Sequence, residues 1–418
     1  MKNITERNNL RGTIPTEIQL LTYLQHLSFE DNSIDGHIPE ELGTLGTLAV
    51  VNLANNSLRG EVPRTFGDLD NLTKLDVSNN KITGLIPFEF WTENRNELSS
   101  LLQLTYLDLS NNLFRGTIVR QLSNLTQLTY LNLAENQLTG SIPREFGDML
   151  SIAHLNLSRN RLTDSLVPSE LGKLAQLRYL DLTGNELAGT IPSTLAKLAQ
   201  LTSLNLADNR LNGTIPSELG NLAQLTTLDL TGNQLAGTIP SELGNLTQLT
   251  TLYLYINQLN GTIPSELGNL TQLTLLGLSN NQLSGTIPSQ FDKLTQLSML
   301  SLFFNQLSGT VPSELGSLTQ LTKLFLSVNQ LNGTIPSELG NLTQVVQLWL
   351  ANNTLLQGTV PLALNHLVNL VDLLLQGTQI VRDVSFLCED VHRDVWLVID
   401  HTMNVSCLCC AFIDDYYY

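Results

Sequence analysis

Two aspartates, Asp76 and Asp108, have the residue type and the predicted separation that catalysis by paired carboxylates requires. They occupy equivalent positions of two successive repeats. On neighbouring strands about 4.8 Å apart, their carboxyl groups would be spaced much as in retaining glycosidases. Nearby repeats hold Asn or Asp at this position, which indicates a repeat consensus rather than an active site. We expect an open surface to leave both carboxyl groups at their ordinary pKa.

Other catalytic signatures are absent from the sequence. It contains no Gly-rich phosphate loop, no zinc-protease motif and no nucleophile elbow. We therefore predict that the protein is not an enzyme and that it holds neither a cofactor nor a metal ion.

The cysteines are clustered near the carboxyl terminus, at Cys388, Cys407, Cys409 and Cys410. Two disulfides among them would pin a cap over the exposed end of a repeat array, and this is the interpretation we favour. A metal site with His392 or His401 is an alternative, although the spacing fits no standard zinc pattern. Reduced, buried thiols are a third.

A repeat of 24 residues runs along most of the 418-residue chain. Its form is Leu-x-x-Leu-x-Leu-x-x-Asn-x-Leu-x-Gly-x-Ile-Pro, as in the segments 235–240 and 283–288. The interval lengthens to 32 residues between Asn80 and Asn112. Such regularity identifies the leucines as a repeating core and cancels the expectation of several globular domains.

This pattern resembles the leucine-rich-repeat superfamily in its plant-type subclass, over roughly residues 8–380. The resemblance implies an α/β repeat fold, a curved or superhelical solenoid of about 15–16 repeats. A parallel sheet would line its concave face, and short 3-10 or helical segments its convex face. The repeat pattern is also similar to that of the ectodomains of receptor-like proteins.

We predict a solenoid over residues 1–380 and a cysteine-containing cap and tail over 381–418. An insertion at about 88–100 forms either a surface loop or a partner contact through Phe90 and Trp91. The Cys-x-Cys-Cys ending is similar to caps of leucine-rich-repeat proteins from diatoms and related algae. The paired cysteines of a plant-type N-terminal cap are missing, which favours an incomplete N-terminus.

The asparagine that ends Leu-x-x-Leu-x-Leu-x-x-Asn in each repeat is expected to point inward. Its amide would satisfy backbone groups of its own turn and of the next coil. This structural ladder includes Asn136, Asn209, Asn233, Asn257, Asn281, Asn305 and Asn329.

Residues between the leucines of each strand should face solvent on the concave side. Early repeats are polar there, but from the eleventh repeat onward large apolar residues appear. Neighbouring strands would merge these into one patch, and contiguous apolar patches commonly mark binding sites. The predicted ligand-binding residues are Tyr253, Tyr255, Ile256, Met299, Phe303, Phe304, Phe325 and Trp349. Packing of these rings on one another without a ligand is the alternative.

A second concave set occupies earlier repeats, at Tyr106, Tyr130, His154 and Tyr179. Cross-strand stacking alone could explain it, and a binding role is the other interpretation.

The net charge of −17 argues against nucleic acid as the partner and against an anionic membrane surface. We predict a non-catalytic scaffold, the recognition ectodomain of a secreted or membrane-anchored receptor-like protein, with a protein, peptide or carbohydrate ligand. A membrane would be reached through a segment absent from this chain. The alternatives are a structural or adhesive extracellular repeat protein and a cytosolic interaction scaffold. Glycosylation sequons such as that at Asn245 follow from the repeat itself and carry little information.

Overall fold

The computed structural model describes residues 8–86, 101–163 and 166–381, together with the strand Trp396–Val398. The predicted insertion, the four cysteines, His392 and His401 lie outside the described residues. The chain forms two compact units, Met1–Leu211 and Asn212–Tyr418. The predicted boundary at residue 380 stays a prediction.

Each coil begins with a three-residue strand, and consecutive coils pair these strands in parallel; we call the result the main sheet of each unit. Tyr130 pairs in register with Tyr106, for example, and Lys323 with Met299. In the first unit the strands are His26–Ser28, Val50–Asn52, Lys74–Asp76, Tyr106–Asp108, Tyr130–Asn132, His154–Asn156, Tyr179–Asp181 and Ser203–Asn205. In the second they are Thr227–Asp229, Thr251–Tyr253, Leu275–Gly277, Met299–Ser301, Lys323–Phe325, Gln347–Trp349, Asp372–Leu374 and Trp396–Val398.

A second, outer strand follows in most coils, after the turn that contains the asparagine of the repeat. Gly237 has φ +77°, a conformation that side chains disfavour, where the chain bends out of this strand. The outer strands of the first unit are Arg11–Thr13, Ser33–Asp35, Arg59–Gly60, Lys81–Ile82, Arg115–Thr117, Gln137–Gly140, Arg161–Leu162 and Ala188–Thr190. A further strand, Arg210–Asn212, ends at the first residue of the second unit. The second unit has Ala236–Thr238, Gln258–Thr262, Gln282–Gly285, Gln306–Thr310, Asn329–Gly333, Asn353–Gly358 and Gln379–Ile380.

Short 3-10 helices return the chain, and a proline usually precedes them, as Pro240 does with φ −65°. They are Thr16–Leu20, Glu40–Thr44, Arg64–Asp68, Arg120–Asn124, Arg144–Asp148, Ser169–Lys173 and Ser193–Lys197 in the first unit. In the second they are Ser217–Asn221, Ser241–Asn245, Ser265–Asn269, Ser289–Lys293, Ser313–Ser317, Ser337–Asn341 and Leu362–His366. In the described part of the chain, no helix has the length and apolarity to cross a membrane.

The leucines of the repeat form the core between the strands and the 3-10 helices. In the coil around Asn233, Leu225, Leu228, Leu230 and Leu235 are fully buried. One coil has no partner for this surface, so burial depends on stacking against the coils on both sides. The leucine-rich-repeat solenoid predicted from the sequence is confirmed.

The asparagine ladder ties successive coils together through backbone groups. The amide nitrogen of Asn329 donates to the carbonyl oxygens of Leu326 and Ser327 in its own turn, and to that of Leu302 in the preceding coil. Its Oδ1 accepts from the backbone N–H of Leu307 at 3.0 Å. The bonds thus reach the preceding coil, whereas we expected the next one. Asn136, Asn209, Asn257, Asn281 and Asn305 repeat this arrangement.

A second polar ladder was not singled out from the sequence. Hydroxyl side chains before each main strand donate to the carbonyl oxygen of the equivalent residue one coil earlier. Thr274 reaches Thr250, Ser298 reaches Thr274 and Thr322 reaches Ser298, each at 2.9 Å. Its signal was the recurrence of Thr or Ser directly after the first leucine of the repeat.

Candidate ligand-binding surfaces on the main sheet

The three-residue main strands determine which side chains face solvent. In Lys323–Phe325 the central Leu324 is buried, while Lys323 is exposed and Phe325 is half-buried. Alternation along a strand therefore turns the residues that flank each leucine outward. The predicted binding residues on these strands occupy such outward positions, and the others follow in the adjoining turns.

Four of the predicted residues form one aromatic cluster in the second unit: Phe303, Phe304, Phe325 and Trp349, hereafter the Phe/Trp cluster. The ring centroids of Phe325 and Trp349 are 4.1 Å apart. Phe303 meets both rings edge-on at 6.4 Å and meets Phe304 at 6.1 Å. These edge-to-face contacts fix the rings as a preformed apolar surface.

Tyr253 and Tyr255 form a second ring pair, with centroids 4.9 Å apart. A Cβ atom on Gly277 of the next strand would overlap Cε1 and Cζ of Tyr255, so this ring occupies the space that a side chain there would fill. The glycine in the outward row therefore makes room for the tyrosine ring. Burial raises the pKa of both phenols, which stay protonated at neutral pH.

Ile256 and Met299 complete the set that we call the apolar patch, together with Tyr253, Tyr255 and the Phe/Trp cluster. Ile256 is 57% exposed and Met299 is half-buried. Beneath the patch the hydroxyls of Ser279 and Ser301 are 2.6 Å apart, and both residues are buried. Among the described residues, the ring contacts of the patch fall into two groups, the tyrosine pair and the Phe/Trp cluster.

The residue types at one backbone position of these coils are unusual. Ile256, Phe304 and Val328 precede the ladder asparagines with φ between 51° and 53°, in the left-handed region. Side chains there normally belong to Gly, Asn or Asp, and a β-branched residue is an outlier. The equivalent position holds Gly, Asn or Asp in most other coils, at Asn55, Asn79, Asn111, Gly184, Asp208, Gly232, Asn280 and Asn352, and Glu135 and Arg159 in two. Sequence reasoning singled out Ile256 and Phe304 but missed their backbone strain.

In the first unit the second predicted set forms a continuous column of rings. Centroids are 4.2 Å apart for Tyr106 and Tyr130, and 4.3 Å apart for Tyr130 and His154 and for His154 and Tyr179. The planes deviate by at most 9° from parallel. We call these four rings the Tyr/His stack. The Nζ of Lys74 lies 4.4 Å from the centroid of Tyr106 and covers the free face of that end ring.

A row of carboxylates and amides runs beside the Tyr/His stack. Burial raises the pKa of Asp76, and nearby Asp108 adds to this, while hydrogen bonds from Ser78 and the charge of Lys74 oppose it. Our expectation that solvent would hold this carboxyl at its ordinary pKa was wrong, because Asp76 is almost completely buried. Asp108 accepts hydrogen bonds from Ser110 on Oδ1, and from Tyr130 and Asn132 on Oδ2.

His154 is neutral near pH 7. Its burial between Tyr130 and Tyr179 lowers its pKa, although the charges of Asp108 and Asp181 act in the opposite direction. The stack therefore contributes aromatic surface without positive charge of its own, and Lys74 is the one cation that lies over a ring of the stack among the described residues.

Sequence-family models identify the repeats independently. A leucine-rich repeat region matches residues 135–266, and further leucine-rich repeat models match residues 46–114, 102–162, 23–45, 272–294, 296–318 and 320–342. The chain belongs to the leucine-rich-repeat family. Comparison with curated protein sequences finds no match.

Solved structures with the same fold include ectodomains of plant receptors. The plant peptide hormone receptor RGFR1, in complex with RGF2, is 34% identical with a TM-score of 0.89, and the match covers 97% of this chain and 65% of that one. The Arabidopsis receptor kinase HAESA, in complex with the peptide hormone IDA and the co-receptor SERK1, is 31% identical with a TM-score of 0.75, covering 93% and 72%. The ectodomain of the Arabidopsis membrane receptor kinase GASSHO1/SCHENGEN3 is 31% identical with a TM-score of 0.61, covering 97% and 55%. This chain thus spans about two thirds or less of two of these three proteins.

Proposed function

We propose that this protein is a non-catalytic recognition module that binds a peptide or an extended protein segment on the apolar patch. The carrying observation is the patch itself, where preformed aromatic rings stand on strained backbone. The structural neighbours RGFR1 and HAESA were solved in complex with peptide hormones, which supports a peptide as the ligand. A ligand would find the rings already ordered, so that little conformational entropy is lost on binding.

Backbone strain under the patch favours a binding role over simple ring packing. A left-handed conformation costs a side chain of this kind roughly 1–2 kcal/mol. In the first unit Glu135 and Arg159 have the same conformation, but their side chains form an ion pair at 3.0 Å. Ile256 instead leaves more than half of its side chain in water. Residues retained at a cost to stability are typical of surfaces maintained for function.

Relieving this strain is expected to stabilise the protein. Ile256→Asn and Val328→Asn each place a residue that tolerates positive φ, and we expect each to raise the free energy of unfolding by about 1 kcal/mol. Chemical denaturation of the full chain measures this difference. The reverse change in a coil between them, Asn280→Ile, is the matched control and is expected to destabilise by a similar amount. A gain in stability from Asn280→Ile would contradict the strain argument.

The carboxylate row of the first unit does not favour catalysis. Each oxygen of Asp108 already accepts hydrogen bonds from groups of the protein. Asp76 accepts from both the backbone and the side chain of Ser78 and pairs with Lys74 at 3.6 Å. Their lone pairs are engaged in holding the turn, which is a structural role.

An extracellular location fits this function. GASSHO1/SCHENGEN3 and HAESA are receptor kinases, and the former was solved as an ectodomain. We place this chain on the same side of a membrane, as part of a receptor-like or secreted protein.

Selection from a displayed library of random linear peptides on the immobilised full chain tests the proposal. We expect enriched peptides to carry aromatic or aliphatic residues, since these fit the Phe/Trp cluster. The double variant Phe325→Ser/Trp349→Ser should weaken binding of an enriched peptide about tenfold or more, because central aromatic residues dominate interface energies.

The control is Leu362→Ser, which removes an apolar side chain that is 74% exposed on a 3-10 helix. Its peptide affinity should match that of the unmodified chain. Equal affinity in the Phe325→Ser/Trp349→Ser variant, with an unchanged unfolding midpoint, would remove the patch from the function. Failure to enrich any peptide would contradict peptide recognition.

A further inference from the structure

The two ends of the Tyr/His stack are occupied differently. At one end the ring of Tyr106 is covered by the ammonium group of Lys74, 4.4 Å from its centroid. At the other end Tyr179 pairs in register with Ser203 on the next strand. A serine side chain is uncharged and too short to cover a six-membered ring. Within the described part of the chain, no cation lies over Tyr179 as Lys74 lies over Tyr106.

Each end ring has a carboxylate on its own strand, Asp108 beside Tyr106 and Asp181 beside Tyr179. The cation at the Tyr106 end also has Asp76 on its own strand, where the other end has Asn205. Asp76 lies within 3.6 Å of the Lys74 ammonium and is almost buried. Asp181 occupies the same strand position beside Tyr179, accepts its hydroxyl at 3.0 Å, and is buried to the same degree. Its other oxygen accepts the backbone N–H of Thr183 at 2.9 Å. No ion pair to Asp181 exists among the residues that the structure describes, whereas Asp76 has one.

Charge along this face is unbalanced. Between Lys74 and Asn205 the outward positions hold three carboxylates, Asp76, Asp108 and Asp181, and a single ammonium group. His154 does not compensate, because burial lowers its pKa and keeps it neutral. The exposed Arg178 precedes Tyr179 but forms no ion pair with Asp181 among the described residues. The carboxylate of Asp181 is therefore not neutralised by an ion pair and attracts a cation from solution.

We propose that Tyr179, Asp181 and Ser203 form a pocket for the guanidinium group of an arginine in a partner peptide or protein. The occupied end with Lys74 shows what such a site binds, a cation held by a ring face and a carboxylate. A guanidinium fits the vacant end better than an ammonium, because it is planar. It can extend the column of parallel rings by one layer beside Asp181. Each oxygen of Asp181 accepts one hydrogen bond from the chain and keeps a second lone pair for a donor from the ligand.

This pocket lies in the first unit and uses none of the residues of the apolar patch. It adds a charge preference to the proposed recognition function, and it can be tested without the natural ligand. The probe is N-acetyl-arginine methyl amide, and N-acetyl-citrulline methyl amide is a neutral control of nearly the same shape. A cation–π contact together with a charge-assisted hydrogen bond corresponds to a Kd on the order of 1 mM.

The experiment follows the tyrosine ring resonances of the full chain, labelled with ¹³C at tyrosine, during titration of each probe by NMR. Tyr179 is assigned from its replacement in Tyr179→Phe. We expect the arginine probe to shift the Tyr179 signals and the citrulline probe to bind at least about tenfold more weakly.

Ser203→Lys supplies a cation from the chain itself, as Lys74 does at the other end, and should weaken arginine binding about tenfold or more. Ser169→Lys adds the same charge on an exposed 3-10 helix and should leave the affinity within about twofold. The Phe325→Ser/Trp349→Ser variant should bind the arginine probe normally, so failure of this pocket and failure of the apolar patch are distinguishable.

Three results would overturn the pocket. They are equal binding of the arginine and citrulline probes, unchanged binding by Ser203→Lys, and no shift of Tyr179 in titrations to tens of millimolar. Thermal unfolding of each variant confirms that it is folded. Ser203→Lys is itself expected to unfold at a temperature no lower than that of the unmodified chain.

Discussion

Replacing Asn329 with alanine is expected to lower the free energy of unfolding by about 3 kcal/mol. The substitution removes a donor to three carbonyl oxygens and the acceptor for the backbone N–H of Leu307. Asn329 and Leu307 are both buried, so water cannot replace the lost partners. An unsatisfied buried polar group costs about 1–3 kcal/mol, and here several are affected together.

Asn341→Ala is the matched control in the same coil. Asn341 ends the 3-10 helix Ser337–Asn341 and is exposed. Water therefore solvates its side-chain amide in both the folded and the unfolded chain. We expect this variant to change stability by less than about 0.5 kcal/mol. Equal losses in the two variants, measured by guanidinium denaturation, would show that the ladder does not hold the coils together.

The sequence predicts the orientation of a side chain in this fold where the stacking of coils allows only one orientation. Leu228 and Leu230 had to be inward because no other arrangement buries every leucine of a 24-residue repeat. The inward orientation of the asparagines followed from their flanking leucines. The direction of their hydrogen bonds did not, because a backbone carbonyl of either neighbouring coil would satisfy the same amide.

The surfaces were predicted less completely than the core. Strand alternation placed Phe325 and Trp349 on one face, but the edge-on contact of Phe303 depends on side-chain rotation that the repeat leaves free. Likewise, the close approach of the Tyr255 ring to Gly277 depends on the register of the neighbouring strand. The raised pKa of Asp76 was missed for the same reason. Burial and the charge of Asp108 raise this pKa, while Ser78 and Lys74 oppose the rise, and a repeat consensus describes none of these neighbours.

The strain at Ile256 and Val328 carries a more general point about repeat proteins. A repeat supplies an internal reference for every position, so that one coil reveals what backbone the equivalent residue in another coil must adopt. Asn or Gly at a position in most coils indicates positive φ there. A β-branched residue at the same position is then visible as a cost before any coordinates are consulted. Applied to the whole sequence, that comparison finds Ile256 and Val328.

Gly43→Ala and Gly46→Ala, three residues apart in one coil, are expected to have opposite effects on stability. A Cβ atom on Gly43 would overlap Oγ1, Cβ and the backbone oxygen of Thr65 in the next coil. A backbone atom cannot rotate away, so the two 3-10 helices that contain these residues must separate. Overpacking of this kind costs about 1–3 kcal/mol, and the upper part of that range applies because the obstruction is backbone.

Gly46 tests whether the loss is due to contact or to the glycine itself. Nothing lies within 4 Å of a Cβ atom built there, and the residue is exposed. Alanine at an unstrained site restricts the unfolded chain, so Gly46→Ala should be neutral or stabilising by up to about 1 kcal/mol. Thermal denaturation of both variants decides the matter. If Gly43→Ala unfolds at the same temperature as Gly46→Ala, close approach of neighbouring coils does not require glycine. Neighbouring 3-10 helices could then move apart at little cost in stability.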